Sequence, residues 1–95
     1  MPLNSHQRQF LKGQAHSLNP VVMLGNAGLS DSVIEEVRQS IAHHELIQVK
    51  LNAGEREEQA RALSEATGAE LVATIGRIAI LFLQKKENSR FILPR

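Results

Sequence analysis

The sequence predicts an α/β domain in which helices pack on a mixed four-stranded sheet, in the order helix, strand, helix, strand, helix, strand, strand. Three observations predict it. Apolar residues recur at helical spacing in three segments, while four other segments run apolar or alternate over four to six residues. Asn-Pro or glycine marks most of the junctions between them. Strands separated by helices need crossover connections and pair in parallel, whereas the last two, joined by a short turn, pair antiparallel.

The first helix is expected over about residues 4 to 16. Asn4 and Gln7 form a capping pair, and Phe10, Leu11, Ala15 and Leu18 share one arc. Gly13 inside it costs about 1 kcal/mol relative to alanine. Asn19-Pro20 ends the helix and turns the chain toward extended structure. Val21 to Leu24 is a continuous apolar run, which suits a strand buried on both faces.

Gly25-Asn26-Ala27-Gly28 follows, and then a strong helix start. Ser30 is the N-cap, Asp31 stands in the first turn, and Leu29 is placed to staple against Ile34. Val33, Ile34, Val37 and Ile41 continue the second helix to His43-His44. Leu46 to Leu51 then alternates, with Ile47, Val49 and Leu51 on one face and Gln48 and Lys50 on the other. This reads as a half-covered strand. Asn52-Ala53-Gly54 leads into a third helix over Glu55 to Thr67, stopped by Gly68 in a left-handed C-cap. Leu71 to Ile75 and Ile78 to Leu83 form a hairpin whose two-residue turn opens on Gly76. Residues 84 to 95 read as a basic C-terminal tail lying along a single domain, residues 1 to 95.

The composition sets limits on function. A chain of 95 residues buries roughly 60 to 68% of its unfolded surface, enough for one modest core. With 42% hydrophobic and 22% charged residues it is too apolar for a disordered chain. No apolar run nears the roughly 20 residues of a membrane span, and the N-terminus lacks a signal-peptide stretch. A soluble, cytoplasmic protein without a membrane partner is expected. Zero cysteines exclude disulfides, thiolate metal sites and cysteine nucleophiles, and fit a reducing compartment.

The net charge of +1 hides a segregation. Residues 1 to 30 carry a balance of +2 and residues 71 to 95 one of +4, while residues 31 to 70, with nine acids against four bases, carry −5. If the two basic ends meet in the fold, they build a positive face that attracts polyanions.

Two readings of Gly25-Asn26-Ala27-Gly28 stand side by side. The stretch is a plain strand-to-helix turn, or a loop whose N–H groups, with the positive end of the helix dipole behind them, cradle a phosphate. It has neither the G-x-G-x-x-G of a dinucleotide fold nor the Lys-Ser/Thr of a P-loop, which argues against a mononucleotide site. Arg8, Lys12 and His16 form a stripe beside the apolar arc of the first helix, uninterrupted by any acid. That regularity favours phosphate contact. Lys50 on its strand and Arg77 at the hairpin tip serve either the same field or edge protection.

Nothing in the chain suggests catalysis. His43-His44-Glu45 invites a metal reading, but adjacent residues at a helix end diverge and a second ligand pair at i, i+4 is lacking. A favourable interaction of a helix-terminal histidine with the dipole is the better account. Glu57 and Glu58 read as first-turn charges, and there is no nucleophile elbow. No catalytic residue, metal, cofactor or small-molecule substrate is expected. Aromatic residues are limited to Phe10, Phe82 and Phe91, which argues against a sheet that stacks several bases, so backbone contacts should dominate.

The segments "LKGQAHSLNPVVMLGNAGLSDSV" and "HHELIQVKL", with the end "SRFILPR", closely resemble the YhbY-type CRM (chloroplast RNA splicing and ribosome maturation) domain family, as a bacterial stand-alone member. The resemblance implies a fold similar to the C-terminal domain of bacterial translation initiation factor three, and RNA binding without catalysis. It implies ribosomal RNA in large (50S) subunit precursors as the target, with a role in ribosome assembly; plant relatives use the domain in intron splicing. It places the family loop on Gly25, Asn26, Ala27 and Gly28, the basic helix on Arg8, Lys12 and His16, and a basic strand position on Lys50. Arg77 and Lys85 complete the expected field. Two positions depart from the family pattern: Asn26 stands where lysine is frequent, and Gln48 where a base is. A second reading, an adaptor that binds ribosomal proteins through the acidic middle, stays open.

Overall fold

The computed structural model describes residues 3–94. Its elements are α1 (Ser5–Ala15), β1 (Val22–Met23), α2 (Asp31–His44), β2 (Leu46–Lys50), α3 (Arg56–Thr67), β3 (Glu70–Ile75) and β4 (Ile78–Phe82), in the predicted order. They build one four-stranded sheet in the spatial order β1-β2-β4-β3. β1 and β2 are parallel, joined through α2; β4 pairs antiparallel with both β2 and β3.

The local signals act as their chemistry dictates. Asn4 Oδ1 accepts from the Gln7 N–H at 2.8 Å while Gln7 Oε1 accepts from the Asn4 N–H at 3.1 Å, a complete capping box. Ser30 Oγ accepts from the Val33 N–H at 3.3 Å at the start of α2. α3 begins at Arg56 without a side-chain cap and ends on Gly68 at φ +77°.

Helices cover the sheet on both faces. On one, α2 and α3 close a core of Val37, Ile41, Ala60 and Leu63 against Val22, Ile47, Val49, Leu51, Ala79 and Leu81. On the other, Leu11 and Ala15 of α1 pack on Leu46, Val72, Ile80 and Phe82. Phe91 and Leu93 of the tail join this second cluster, and Gln7 Nε2 donates to the Pro94 carbonyl at 3.0 Å. The two basic ends of the sequence therefore meet on one face. The helices of its acidic middle cover the opposite one.

Two expectations about the strands need correction. β1 is two residues long and is not buried on both faces: Val22 is buried, whereas Val21 and Met23 are exposed. It is an edge strand against which α2 packs, while α1 sits over β2, β4 and β3. β2 is more than half-covered. Leu46 is buried beneath α1, and Gln48 Nε2 donates to the Ala15 carbonyl at 2.7 Å, leaving Lys50 toward the open end. A bulge in β3 between Leu71 and Ala73 is a further feature that alternation did not show.

Candidate nucleic-acid interface

Gly25 to Gly28 closes a tight turn directly after β1. The Gly28 N–H donates to the Gly25 carbonyl at 3.0 Å, and the Gly28 carbonyl accepts from the Ser30 N–H at 3.0 Å. Gly28 has φ +66°, a conformation that disfavours any side chain, whereas Gly25 does not need the left-handed region. The turn consumes one N–H that the sequence reading assigned to a ligand. The N–H groups of Asn26 and Ala27, both exposed, take no hydrogen bond among the described residues. These two are free for an anion. The helix end behind them contributes less than expected, since Ser30 already caps it and Asp31 places a carboxylate in its first turn.

Asn52, which the sequence read only as part of a turn, holds this loop. Its Nδ2 donates to the Gly25 carbonyl at 3.1 Å. Gln59 of α3 fixes Asn52 in turn, accepting from its backbone N–H at 3.0 Å and donating to its carbonyl at 3.4 Å. A chain of polar contacts thus runs from the third helix to the glycine turn.

The predicted bases fall into three sets. Lys50 closes β2 beside Met23, its register partner two residues before the loop. Arg77 sits at the hairpin tip at the same end of the sheet, its Nε donating to the Leu51 carbonyl at 3.0 Å. On α1, Gln7 and Phe10 lie toward the C-terminal tail. At about 100° per residue, Arg8, Lys12 and His16 occupy the other flank of the Leu11–Ala15 seam. Lys12 and His16 are exposed; Arg8 is half-buried and one guanidinium nitrogen donates to the Leu71 carbonyl, tying α1 to β3.

Lys85 belongs to neither of the first two. It follows β4 at the opposite end of the sheet, where its backbone N–H donates to Glu45 Oε2 at 2.9 Å. Glu45, fully buried, has a role that the reading of His43-His44-Glu45 in the sequence did not assign. Its carboxylate also accepts from Ser89 Oγ at 2.6 Å and from the Arg90 N–H at 2.8 Å, gathering the basic turn 85–90 around one buried acid. Burial pushes its carboxyl up; the hydrogen bonds from Ser89, Arg90 and Lys85, with the Lys85 charge, outweigh this and hold it below the usual carboxylate value.

Comparison with known proteins identifies the family. The family model of the CRS1/YhbY (CRM) domain matches residues 3–82. The chain belongs to this family. An RNA-binding protein of Haemophilus influenzae is 45% identical, the match covering 98% of this chain and 96% of that protein. The probable RNA-binding protein YqeI of Bacillus subtilis is 33% identical over 97% of this chain and 99% of its own length. The solution structure of protein SAV1595 from Staphylococcus aureus superposes with a TM-score of 0.85 at 33% identity, covering 97% and 99% of the two chains. In this CRM domain the family model stops at the end of β4, so Glu45 lies within it while the 85–90 turn gathered around its carboxylate and the returning tail lie outside. Gln48, at a position where a base was expected, is committed to holding α1 on the sheet.

Proposed function

We propose that this CRM domain is a non-enzymatic cytoplasmic protein that binds ribosomal RNA in large-subunit precursors and assists their assembly. One observation carries the reading: the Gly25–Gly28 turn, Lys50 and Arg77 share one end of the sheet, on whose α1-covered face the Arg8–Lys12–His16 flank adds further bases. The turn offers the Asn26 and Ala27 N–H groups to a backbone phosphate, and the bases supply the surrounding field. Lys85 stands outside that field.

Titration of a labelled ribosomal RNA fragment at several salt concentrations tests the mechanism. Three to five phosphate contacts give a slope of log K against log salt of about −2 to −4. A flat response rules the electrostatic mechanism out. Crosslinking on isolated ribosomal particles tests the target, and attachment at Lys12 or Lys50 to large-subunit RNA is the expected result.

The second reading, an adaptor for ribosomal proteins, draws on the face opposite, where Asp31, Glu35, Glu36, Glu57 and Glu58 are exposed on α2 and α3. Nuclease treatment before co-sedimentation separates the two. Association that survives the loss of RNA favours the adaptor.

A further inference from the structure

One cross-strand row of the sheet is left open. The registers place Met23, Lys50, Ile78 and Ile75 side by side across all four strands, on the face that α1 covers farther along. Met23 is 63% exposed and Ile75 47%, with Lys50 and Ile78 half-buried between them. Scattered apolar residues on a surface need no explanation, but a contiguous strip at the end of a sheet does. Its charge is cationic: Lys50 lies within the row, Arg77 sits at the hairpin tip next to Ile78, and the row itself contains no acid. The acids at the start of α3 instead line a hollow with Thr74, whose register partner Ala79 belongs to the core of the opposite face.

We propose that this row seats unpaired nucleobases of the bound RNA, with Met23, Ile78 and Ile75 packing against base faces. The inference rests on the RNA-binding reading and deepens it by naming the RNA class: single-stranded loops or bulges rather than continuous duplex. A duplex hides its base faces within the stack and presents phosphates and ribose, which an aliphatic strip cannot use; a splayed base presents a flat apolar face. The Met23 thioether makes favourable contacts with aromatic rings, and the Lys50 ammonium beside it meets either a base face or the adjoining phosphate. Met23 lies two residues before Gly25, so a strand whose phosphate is held at Asn26 and Ala27 lays its neighbouring base on this row. The charge around the strip selects a polyanion over an apolar protein segment.

The test uses the full chain and three RNAs: a hairpin with a single-stranded loop, the same hairpin with abasic nucleotides in the loop, and a blunt duplex of equal phosphate count. Binding to the intact hairpin is expected to exceed binding to the other two by about fivefold. Met23→Thr and Ile75→Thr, which keep strand propensity and charge, are expected to erase that preference and leave the salt slope unchanged. Equal binding of intact and abasic hairpins overturns the inference even if a variant fails to fold. Loss of self-association by the variants in sedimentation, with RNA affinity unchanged, assigns the row to a second copy of the chain and overturns it as well. Failure of the wild-type chain to bind any of the three at low salt overturns the RNA-binding reading itself.

Discussion

The side-chain amide of Asn52 donates to the carbonyl of Gly25 at 3.1 Å, fastening the glycine turn to the chain just beyond β2. Because Gln59 grips both backbone groups of Asn52, the turn is referenced to α3 as well as to the sheet. A ligand loop held in this way loses less freedom on binding than one attached only at its ends. Asn52→Ala is therefore expected to weaken RNA binding about three- to fivefold, with a change in stability of about 1 kcal/mol or less. Anisotropy titration and amide exchange at Asn26 and Ala27 check it. Faster exchange together with weaker binding identifies Asn52 as a positioning residue.

The two glycines of the turn are expected to respond differently. Gly28 has φ +66°, so Gly28→Ala places an L-residue in the left-handed region at a cost of about 1 kcal/mol, although a Cβ there meets no neighbour within 4 Å. For a domain of this size that lowers Tm by about 4 to 8 °C. Gly25 has neither the positive φ nor a crowded Cβ position, so Gly25→Ala leaves Tm nearly unchanged. Thermal melts of the two variants decide the matter. Equal losses disprove the assignment of strain to Gly28.

Charge at the loop is better tested at Asn26, where no backbone constraint interferes. Asn26→Lys adds a base beside the free N–H groups and is expected to steepen the salt slope by about 0.7 to 0.9. Lys12→Glu removes a base from the α1 flank and should weaken binding to different RNAs by similar factors, since phosphate contacts carry little sequence information. Comparing salt slopes of the two variants with the parent reads both effects. A sequence-selective loss in Lys12→Glu assigns Lys12 to base recognition instead.

Local rules made much of the fold legible. Asn4 with Gln7, Ser30, Gly68 and the Gly76 turn are signals complete within a few residues, and each stands where its chemistry places it. The charge segregation also mapped onto the fold, because both basic ends pack on one sheet face. The features that escaped the sequence depend on distant partners. Glu45 lies 45 residues from Arg90, and Asn52 lies 27 from Gly25; neither pairing leaves a periodic or compositional trace. The exposure of Met23 escaped for a related reason. An apolar run reads as buried on both faces until the order of strands puts β1 at the edge, beside the strands that α1 covers.

Glu45 makes stability depend on acid pH. Its carboxyl is held below the usual carboxylate value in the folded chain, so the folded state binds fewer protons than the unfolded state as pH falls through that range. The stabilisation is complete above the ordinary carboxylate value and disappears as pH falls through the lowered one. Loss of the charge releases the Lys85 N–H, Ser89 Oγ and Arg90 N–H, which have converged on it. Acidification is therefore expected to expose the Lys85 and Arg90 amides to exchange before α2 and β2 open. Glu45→Gln removes this acid dependence and, by turning an amide toward donors, costs about 1 to 3 kcal/mol at neutral pH. The Lys85–Arg90 turn is at the opposite end of the sheet from Gly25–Gly28, so RNA affinity of the folded variant should stay within about twofold of the parent. Exchange measured from neutral to acid pH, beside an RNA titration at neutral pH, separates the roles: a large loss of affinity in Glu45→Gln would place the C-terminal turn within the RNA interface.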